Sequence, residues 1–233
     1  MAAQLILPMG VDDSPGLDNF LDTPNKNLLA FLKQQLQQRV SGQLTAYAGI
    51  FIWGEPSSGK SHLISALSQW VNQNGGKKLH LEPASSELKT GKENPSGRIY
   101  LLDDVEAFIS DSAAERQFLT LIERIKQQNA MLLITARQAV KGLKIGLPDL
   151  SSRLQAMDGF ELLALRDDEK REVLRQRANQ RGILLGDDVL NWLFTHTARD
   201  LGMLLNLLER MDVHSLSQKR KVTIPLIKSI LQG

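Results

Sequence analysis

Short apolar runs separated by amphipathic segments recur along the first two thirds of the chain. Helical periodicity lies between several of the runs, as in residues 62–71 and 115–127, and a further helix is predicted over 27–40 before them. Strands that alternate with helices predict an α/β fold, in which a parallel five-stranded sheet is covered by helices on both faces. The predicted strands are residues 50–53, 79–81, 99–102, 131–135 and 160–163.

The pattern changes to helices alone beyond about residue 166. Helices are predicted over 168–181, where Gly182 closes the helix, and over 187–196 and 199–216, and a last one follows Thr223, a residue type suited to an N-cap. The sequence therefore predicts an α/β domain over 16–165 and a small all-helical lid domain over 166–233. Residues 1–15 contain proline and glycine without periodicity, which predicts a flexible arm.

The strongest chemical signal follows the first predicted strand directly. Residues 54–61 form a phosphate-binding loop pattern, in which two glycines enclose four residues and Lys-Ser follows. Backbone N–H groups of such a loop face a pyrophosphate, Lys60 contacts the β- and γ-phosphates, and the Ser61 hydroxyl ligates Mg²⁺. The flanking strand and helix favour this function over a chance Gly/Ser turn. The candidate nucleotide-binding residues are Gly54, Glu55, Pro56, Ser57, Ser58, Gly59, Lys60 and Ser61.

Polar side chains also end two other predicted strands. Asp103 is placed to hold the metal ion, and Asp104 to orient or deprotonate an attacking water, as phosphoryl transfer requires. Solvated acids at an ordinary strand end are the alternative. Thr135 could contact the γ-phosphate or the water, and a threonine bonded only within the protein fits equally well. Together with the loop, these residues predict ADP or ATP and Mg²⁺ as ligands.

Composition narrows the class of protein further. The 233 residues are 42% hydrophobic, enough for a core, and 28 Lys and Arg balance 26 Asp and Glu, which does not favour sequence-specific DNA binding. The chain contains no cysteine, so it has no disulfide or thiolate metal site. Neither a membrane-spanning run nor a secretory signal is visible, and a cytoplasmic protein is expected.

These motifs together resemble the AAA+ P-loop ATPases, and specifically the initiator clade of bacterial replication proteins, over nearly the whole chain. Residues 20–27 look like the segment that lines the adenine pocket in this clade, which implies nucleotide contacts for Leu21 and Asn25. The loop followed by His62 is similar to the clade's version, so His62 joins the candidate nucleotide-binding residues. Ser57 stands where many relatives have glycine.

The resemblance also assigns roles to two arginines that residue type alone would place on a solvated surface. Residues 147–154 look like the arginine-finger segment, which makes Arg153 the finger. Residues 198–201 resemble the lid motif with the sensor 2 arginine, which implies a nucleotide contact for Arg199. Arg137 follows the sensor 1 strand, where DnaA-like proteins usually have an acidic residue, and this departure puts the positioning of water in doubt.

The arm carries a further motif. Its residues look like a clamp-binding peptide of the form Gln-Leu-x-Leu-Pro-aliphatic, with apolar anchors and a stiffening proline that suit an apolar groove. A frayed N-terminus is the alternative. The resemblance implies the sliding clamp, the DNA polymerase III beta subunit, as a partner. The clamp-binding residues are Gln4, Leu5, Leu7, Pro8 and Met9.

The implied function is negative regulation of DNA replication initiation, in an oligomer and by activating ATP hydrolysis on DnaA. An autonomous AAA+ ATPase, such as a DnaC-type helicase loader, and a DnaA-like DNA-binding module are the alternatives. The short arm argues against a loader. The balanced charge, and an end at Gly233 without a helix-turn-helix domain, argue against a DNA-binding module.

Overall fold

The computed structural model describes Leu17 and residues 24–81, 98–216 and 222–232. The chain divides into two compact units, of which one spans Pro15–Ala164 and the other includes Leu165–Gly233. The first unit contains every strand of the described residues, and helices alone form the described part of the second. The predicted clamp-binding residues and Leu21 lie outside the described residues.

Five parallel strands form one sheet in the first unit, as the apolar runs predict. The sheet has the order β2-β3-β4-β1-β5, so β1 lies between β4 and β5. Because all pairs are parallel, the carboxyl ends of β1, β3 and β4 lie at the same edge of the sheet. The strands are β1 (Ala48–Trp53), β2 (Lys77–Leu81), β3 (Arg98–Leu102), β4 (Met131–Ala136) and β5 (Asp158–Glu161).

Helices cover both faces of this sheet. Alternate residues of β1 point to opposite sides, so that Ile50 and Ile52 pack in one core and Phe51 in the other. Helices α1 (Lys26–Val40) and α2 (Lys60–Gln73) contribute to the core around Ile50. Helices α3 (Ser112–Gln127) and α4 (Pro148–Gln155) contribute to the core around Phe51.

One helix and one strand of this unit differ clearly from the sequence-based elements. The segment around Pro148, to which the sequence pattern assigned no helix, forms α4, because proline at the first helical position loses no intrahelical hydrogen bond. Strand β5 begins and ends two residues earlier than expected. It pairs with β1 from Asp158 to Glu161, and Leu162 turns its side chain into the core after its N–H donates to the Trp53 carbonyl oxygen.

The second unit has its own apolar core, formed by α5 (Asp167–Gln180), α6 (Asp187–His196), α7 (Leu201–Leu216) and α8 (Ile224–Gln232). Gly182, with φ of 71°, follows α5 as predicted. Helix α7 begins two residues later than expected, because the Asp200 side chain accepts a hydrogen bond from the Met203 N–H and caps the helix. Of the helices described, none is both long and apolar enough to cross a membrane.

Candidate nucleotide site

The phosphate loop connects β1 to α2 through an unusual backbone. Gly59 has a φ of 98° and Ser57 a φ of 63°, both in the left-handed region. A Cβ atom at Gly54 would lie 2.5 Å from the Leu162 carbonyl oxygen and 2.6 Å from Ser58 Oγ, so only glycine fits there. At Ser57 the side chain costs about 1–2 kcal/mol of strain. Serine at position 57, where many relatives have glycine, is therefore compatible with the loop but strains its backbone.

Lys60 and Ser58 provide polar groups of the loop that can bind an anion. The Lys60 Nζ donates to the Gly54 carbonyl oxygen at 2.7 Å and to that of Glu55 at 2.8 Å, which holds the ammonium over the loop with a third donor to spare. Ser58 Oγ is buried without a hydrogen-bond partner within the described ranges. Glu55, Pro56 and Ser61 are exposed, and His62 is half-buried.

The loop and the carboxylates after β3 share one electrostatic environment. Burial lowers the pKa of Lys60, and the negative charges of Asp103, Glu106 and Asp104 act in the opposite direction. These groups interact because β1 and β3 end at the same edge of the sheet. The structure therefore brings together the two parts of the site that the sequence predicts about forty residues apart.

The hydroxyl of Thr135 donates its proton and accepts a hydrogen bond within the protein. Its Oγ1 donates to Asp103 Oδ1 at 2.5 Å and accepts from the Asp104 N–H at 3.0 Å, and the residue is completely buried. A hydroxyl has one proton to donate. Thr135 therefore fixes the Asp103 carboxylate and the Asp104 backbone, and the structure favours this role over direct contact with a phosphate or water.

Replacing Thr135 by valine should measure this role. The Thr135→Val variant leaves the Asp103 carboxylate and the Asp104 N–H without their partner, which should lower the free energy of unfolding by about 2–3 kcal/mol. Thr135→Ser keeps both hydrogen bonds and loses one buried methyl group, so it should cost only about 1 kcal/mol. Urea unfolding in the absence of nucleotide tests the difference, and equal stabilities of the two variants would contradict it.

Asp104 interacts with Arg137 and Glu106, and the sequence predicted neither contact. Its backbone has a φ of 56°, and its Oδ2 accepts from Arg137 Nη2 at 2.9 Å. The Glu106 Oε1 accepts from the Arg137 N–H at 2.8 Å. The neighbouring Glu106 carboxyl lowers the pKa of Asp104, whereas burial and then the neighbouring Asp104 carboxyl raise the pKa of Glu106. Glu106 is thus the member of the pair that keeps a proton more readily.

The residues predicted to hold Mg²⁺ have suitable donors. Ser61 supplies an exposed hydroxyl, and Asp103 keeps one carboxylate oxygen beyond the one that Thr135 binds. Among the described residues, no group of three or more His, Asp or Glu could hold a metal ion. Mg²⁺ usually takes only one or two carboxylates and completes its shell with waters and phosphates. Ser61 and Asp103 therefore fit Mg²⁺ bound together with a nucleotide.

Asn25 connects the start of α1 to the segment after β5. Its Nδ2 donates to the Leu163 carbonyl oxygen at 3.0 Å and its Oδ1 accepts from the Leu163 N–H at 2.9 Å. The residue is buried, so both polar ends of its side chain bind the segment after β5. Asn25 therefore shapes this region through Leu163, and the contacts of Asn25 and Leu21 with a nucleotide stay predictions.

Arg153 lies in the last turn of α4, and its Nε is 2.6 Å from Glu123 Oε1 on α3. Its side chain is 47% exposed. Both charges also act on Tyr47, whose pKa is raised to about 12, first by burial and then by Glu123. Tyr47 precedes β1, whereas the phosphate loop follows it. A strand of this length spans roughly 20 Å, so Arg153 lies near the opposite end of β1 from the loop.

Arg199 lies in the second unit, between α6 and α7. Its Nε donates to the Phe194 carbonyl oxygen at 3.1 Å, and its Nη1 donates to Asp167 Oδ2 at 2.7 Å. The Lys170 Nζ donates to the Arg199 carbonyl oxygen at 2.8 Å. These bonds connect α5, α6 and the start of α7. The sensor 2 role of Arg199 stays a prediction.

Comparison with solved structures identifies the fold. The chain is similar to domain III of the DnaA replication initiation protein from Thermotoga maritima, with a TM-score of 0.72 and 18% identity over 96% of this chain and 98% of that one. It is also similar to AMPPCP-bound DnaA from Aquifex aeolicus, with a TM-score of 0.66 and 20% identity over 88% of this chain and 68% of that one. The fold is that of an AAA+ P-loop protein with a helical lid.

Sequence comparisons narrow the class to a family. A family model described as "Hda, lid domain" matches residues 167–231. An uncharacterized protein from Haemophilus influenzae is 34% identical over 235 residues, which cover 99% of this chain and 99% of that protein. The chain belongs to the Hda-like family of DnaA-homologous replication regulators.

Proposed function

We propose that this chain is a negative regulator of replication initiation that uses Arg153 to stimulate hydrolysis of ATP bound to DnaA. The position of Arg153 carries the proposal. The guanidinium is half-exposed near one end of β1, whereas the chain's own phosphate loop lies at the other end. An arginine that cannot reach the nucleotide of its own chain is suited to the nucleotide of a neighbouring one, where it stabilises the charge that develops in the transition state.

The chain's own phosphate loop binds a nucleotide, ADP or ATP with Mg²⁺, and the chain by itself hydrolyses ATP poorly. The Lys60 ammonium and the loop backbone supply the phosphate contacts. Of the groups that could act on a water, Thr135 is bonded to Asp103, and Asp104 is paired with Arg137. This arrangement favours a regulator over an autonomous ATPase such as a DnaC-type loader. ADP is the expected nucleotide of the active regulator.

The arm attaches the regulator to the sliding clamp on DNA in the cytoplasm. Leu5, Leu7 and Met9 offer apolar anchors, and Pro8 restricts the unbound peptide and so reduces the entropy lost on binding. An extended peptide with such anchors fits an apolar groove on the clamp. Docking brings Arg153 to DnaA on the same DNA, which leaves DnaA with ADP and blocks re-initiation.

Deleting residues 1–9 should abolish clamp binding and leave nucleotide affinity unchanged, since the phosphate loop is built from residues 54–61. Pull-down with DNA-loaded clamp and calorimetry with ADP measure the two properties. Gln4→Ala and Leu5→Ala should each reproduce the loss, whereas Asp12→Ala, outside the motif, should bind normally. Full clamp binding by the deletion variant would refute the assignment of the arm.

A reconstituted hydrolysis assay tests the whole proposal. ATP turnover is measured for the chain alone, for the chain with ATP-loaded DnaA, and for both proteins with DNA-loaded clamp. A regulator gives little turnover alone and a large increase only when DnaA and the clamp are present. Fast turnover by the chain alone would instead identify an autonomous ATPase. Tight binding of bare origin DNA without any effect on DnaA would identify a DNA-binding module.

A further inference from the structure

Two acidic residues of α3 contact the helix that carries Arg153. Glu115 and Glu123 are eight residues apart, slightly more than two helical turns, so both face the same side of α3. That side packs on α4 through a shared apolar core that includes Phe118, Ile122 and Leu150. Each carboxylate contacts a different end of α4.

Glu115 binds the backbone that leads into α4. Its Oε1 accepts from the Gly146 N–H at 2.8 Å, and its Oε2 accepts from the Leu147 N–H at 2.7 Å. Leu147 is the N-cap residue and Pro148 after it has no N–H, so Glu115 accepts from the two backbone N–H groups that immediately precede the helix. The carboxylate is buried and also lies at the positive end of the helix dipole. The start of α4 is thereby fixed to α3.

Glu123 contacts the other end of α4 through the guanidinium of Arg153. Its Oε1 lies 2.6 Å from Arg153 Nε in an ion pair that lacks the alignment of a hydrogen bond, and no solvent reaches that oxygen atom. An arginine has one N–H on Nε and four on the two terminal nitrogens. The ion pair therefore engages the inner nitrogen and leaves the terminal nitrogens for another acceptor. This is the division that an arginine needs if it is to contact a phosphoryl group bidentately.

We propose that Glu123 is a positioning residue for Arg153. By pairing with Nε, Glu123 reduces the number of rotamers that the Arg153 side chain samples before it contacts the nucleotide of the neighbouring protein. Glu115 fixes the position of α4, the helix that carries Arg153. The inference rests on the proposed function, because it concerns the reaction of ATP bound to DnaA. If the Arg153 side chain were immobilised only in the complex with DnaA, the lost rotamer freedom would cost about 0.5–1.5 kcal/mol. This cost corresponds to a hydrolysis rate about two- to thirteenfold lower.

The test is the maximal rate of DnaA-bound ATP hydrolysis, measured while the concentration of this chain is varied in the presence of DNA-loaded clamp. Glu123→Ala should lower the maximal rate about three- to tenfold at an unchanged half-saturating concentration. Glu123→Gln should fall between alanine and the native protein, because its amide oxygen still attracts the guanidinium but carries no full charge. Asp158→Asn, which removes one charge from an exposed position on β5, is the matched control and should behave like the native chain.

A double-mutant cycle separates the inference from the proposed function. Glu123→Ala should have no further effect when Arg153 is already alanine, because Glu123 acts through that arginine. A further loss in this background, or a Glu123→Ala rate within twofold of native while Arg153→Ala is inactive, would overturn the inference alone. Normal stimulation by Arg153→Ala would overturn the proposed function, and the inference with it.

Discussion

Replacing Arg153 by alanine is expected to reduce the stimulated hydrolysis of DnaA-bound ATP by about 10³- to 10⁵-fold. The reason is electrostatic, because a desolvated positive charge would be missing where negative charge develops in the transition state. The measurement is single-turnover hydrolysis of ATP preloaded on DnaA, with saturating regulator and DNA-loaded clamp. Arg153→Lys should rescue poorly, because lysine lacks the planar fork of donors.

The fold of the Arg153 variant should be intact. The residue is nearly half-exposed, and its pair with Glu123 is at the surface, so its removal should cost no more than about 1 kcal/mol of stability. Clamp binding and ADP affinity should therefore equal those of the native chain. Arg116→Ala, which removes an exposed arginine of α3, is the matched control and should retain full stimulation. If Arg153→Ala stimulates hydrolysis normally, Arg153 is a surface residue and the proposed mechanism is wrong.

Replacing Lys60 by alanine is expected to weaken ADP binding about 10- to 100-fold. The substitution removes the cation of the phosphate loop, whose Nζ bonds to Gly54 and Glu55 place it for a phosphate, and charge-assisted bonds contribute about 1.5–3 kcal/mol. The loss should be incomplete, because backbone N–H groups still contact the phosphates. Isothermal titration calorimetry with ADP and Mg²⁺ measures the effect.

Lys144→Ala serves as the control for the Lys60 variant, since it removes an exposed lysine of the same unit from outside the loop. Its ADP affinity should match that of the native chain. A thermal melt without nucleotide shows whether the loss of the two Lys60 hydrogen bonds disturbs the fold. An unchanged dissociation constant for Lys60→Ala, in a protein that melts normally, would exclude the loop as the nucleotide site.

The sequence by itself determined the features that depend on local patterns. The phosphate loop was readable because its chemistry needs particular residue types at fixed spacing within eight residues. The five strands and the change to helices near residue 166 were readable because buried strands and amphipathic helices impose different periods on the chain. The end of α5 before Gly182 could be predicted because helices often end at a residue in the left-handed conformation, which glycine adopts without strain.

Only the tertiary structure decided how the site residues are used. The bonds of Thr135 to the aspartates after β3, of Arg137 to Asp104 and of Glu115 to the start of α4 join residues about thirty positions apart. The register of parallel strands and the packing of α3 on α4 bring these groups together, and no local pattern encodes either. For the same reason, the sequence identified Arg153 through its motif but did not reveal that Glu123 holds it.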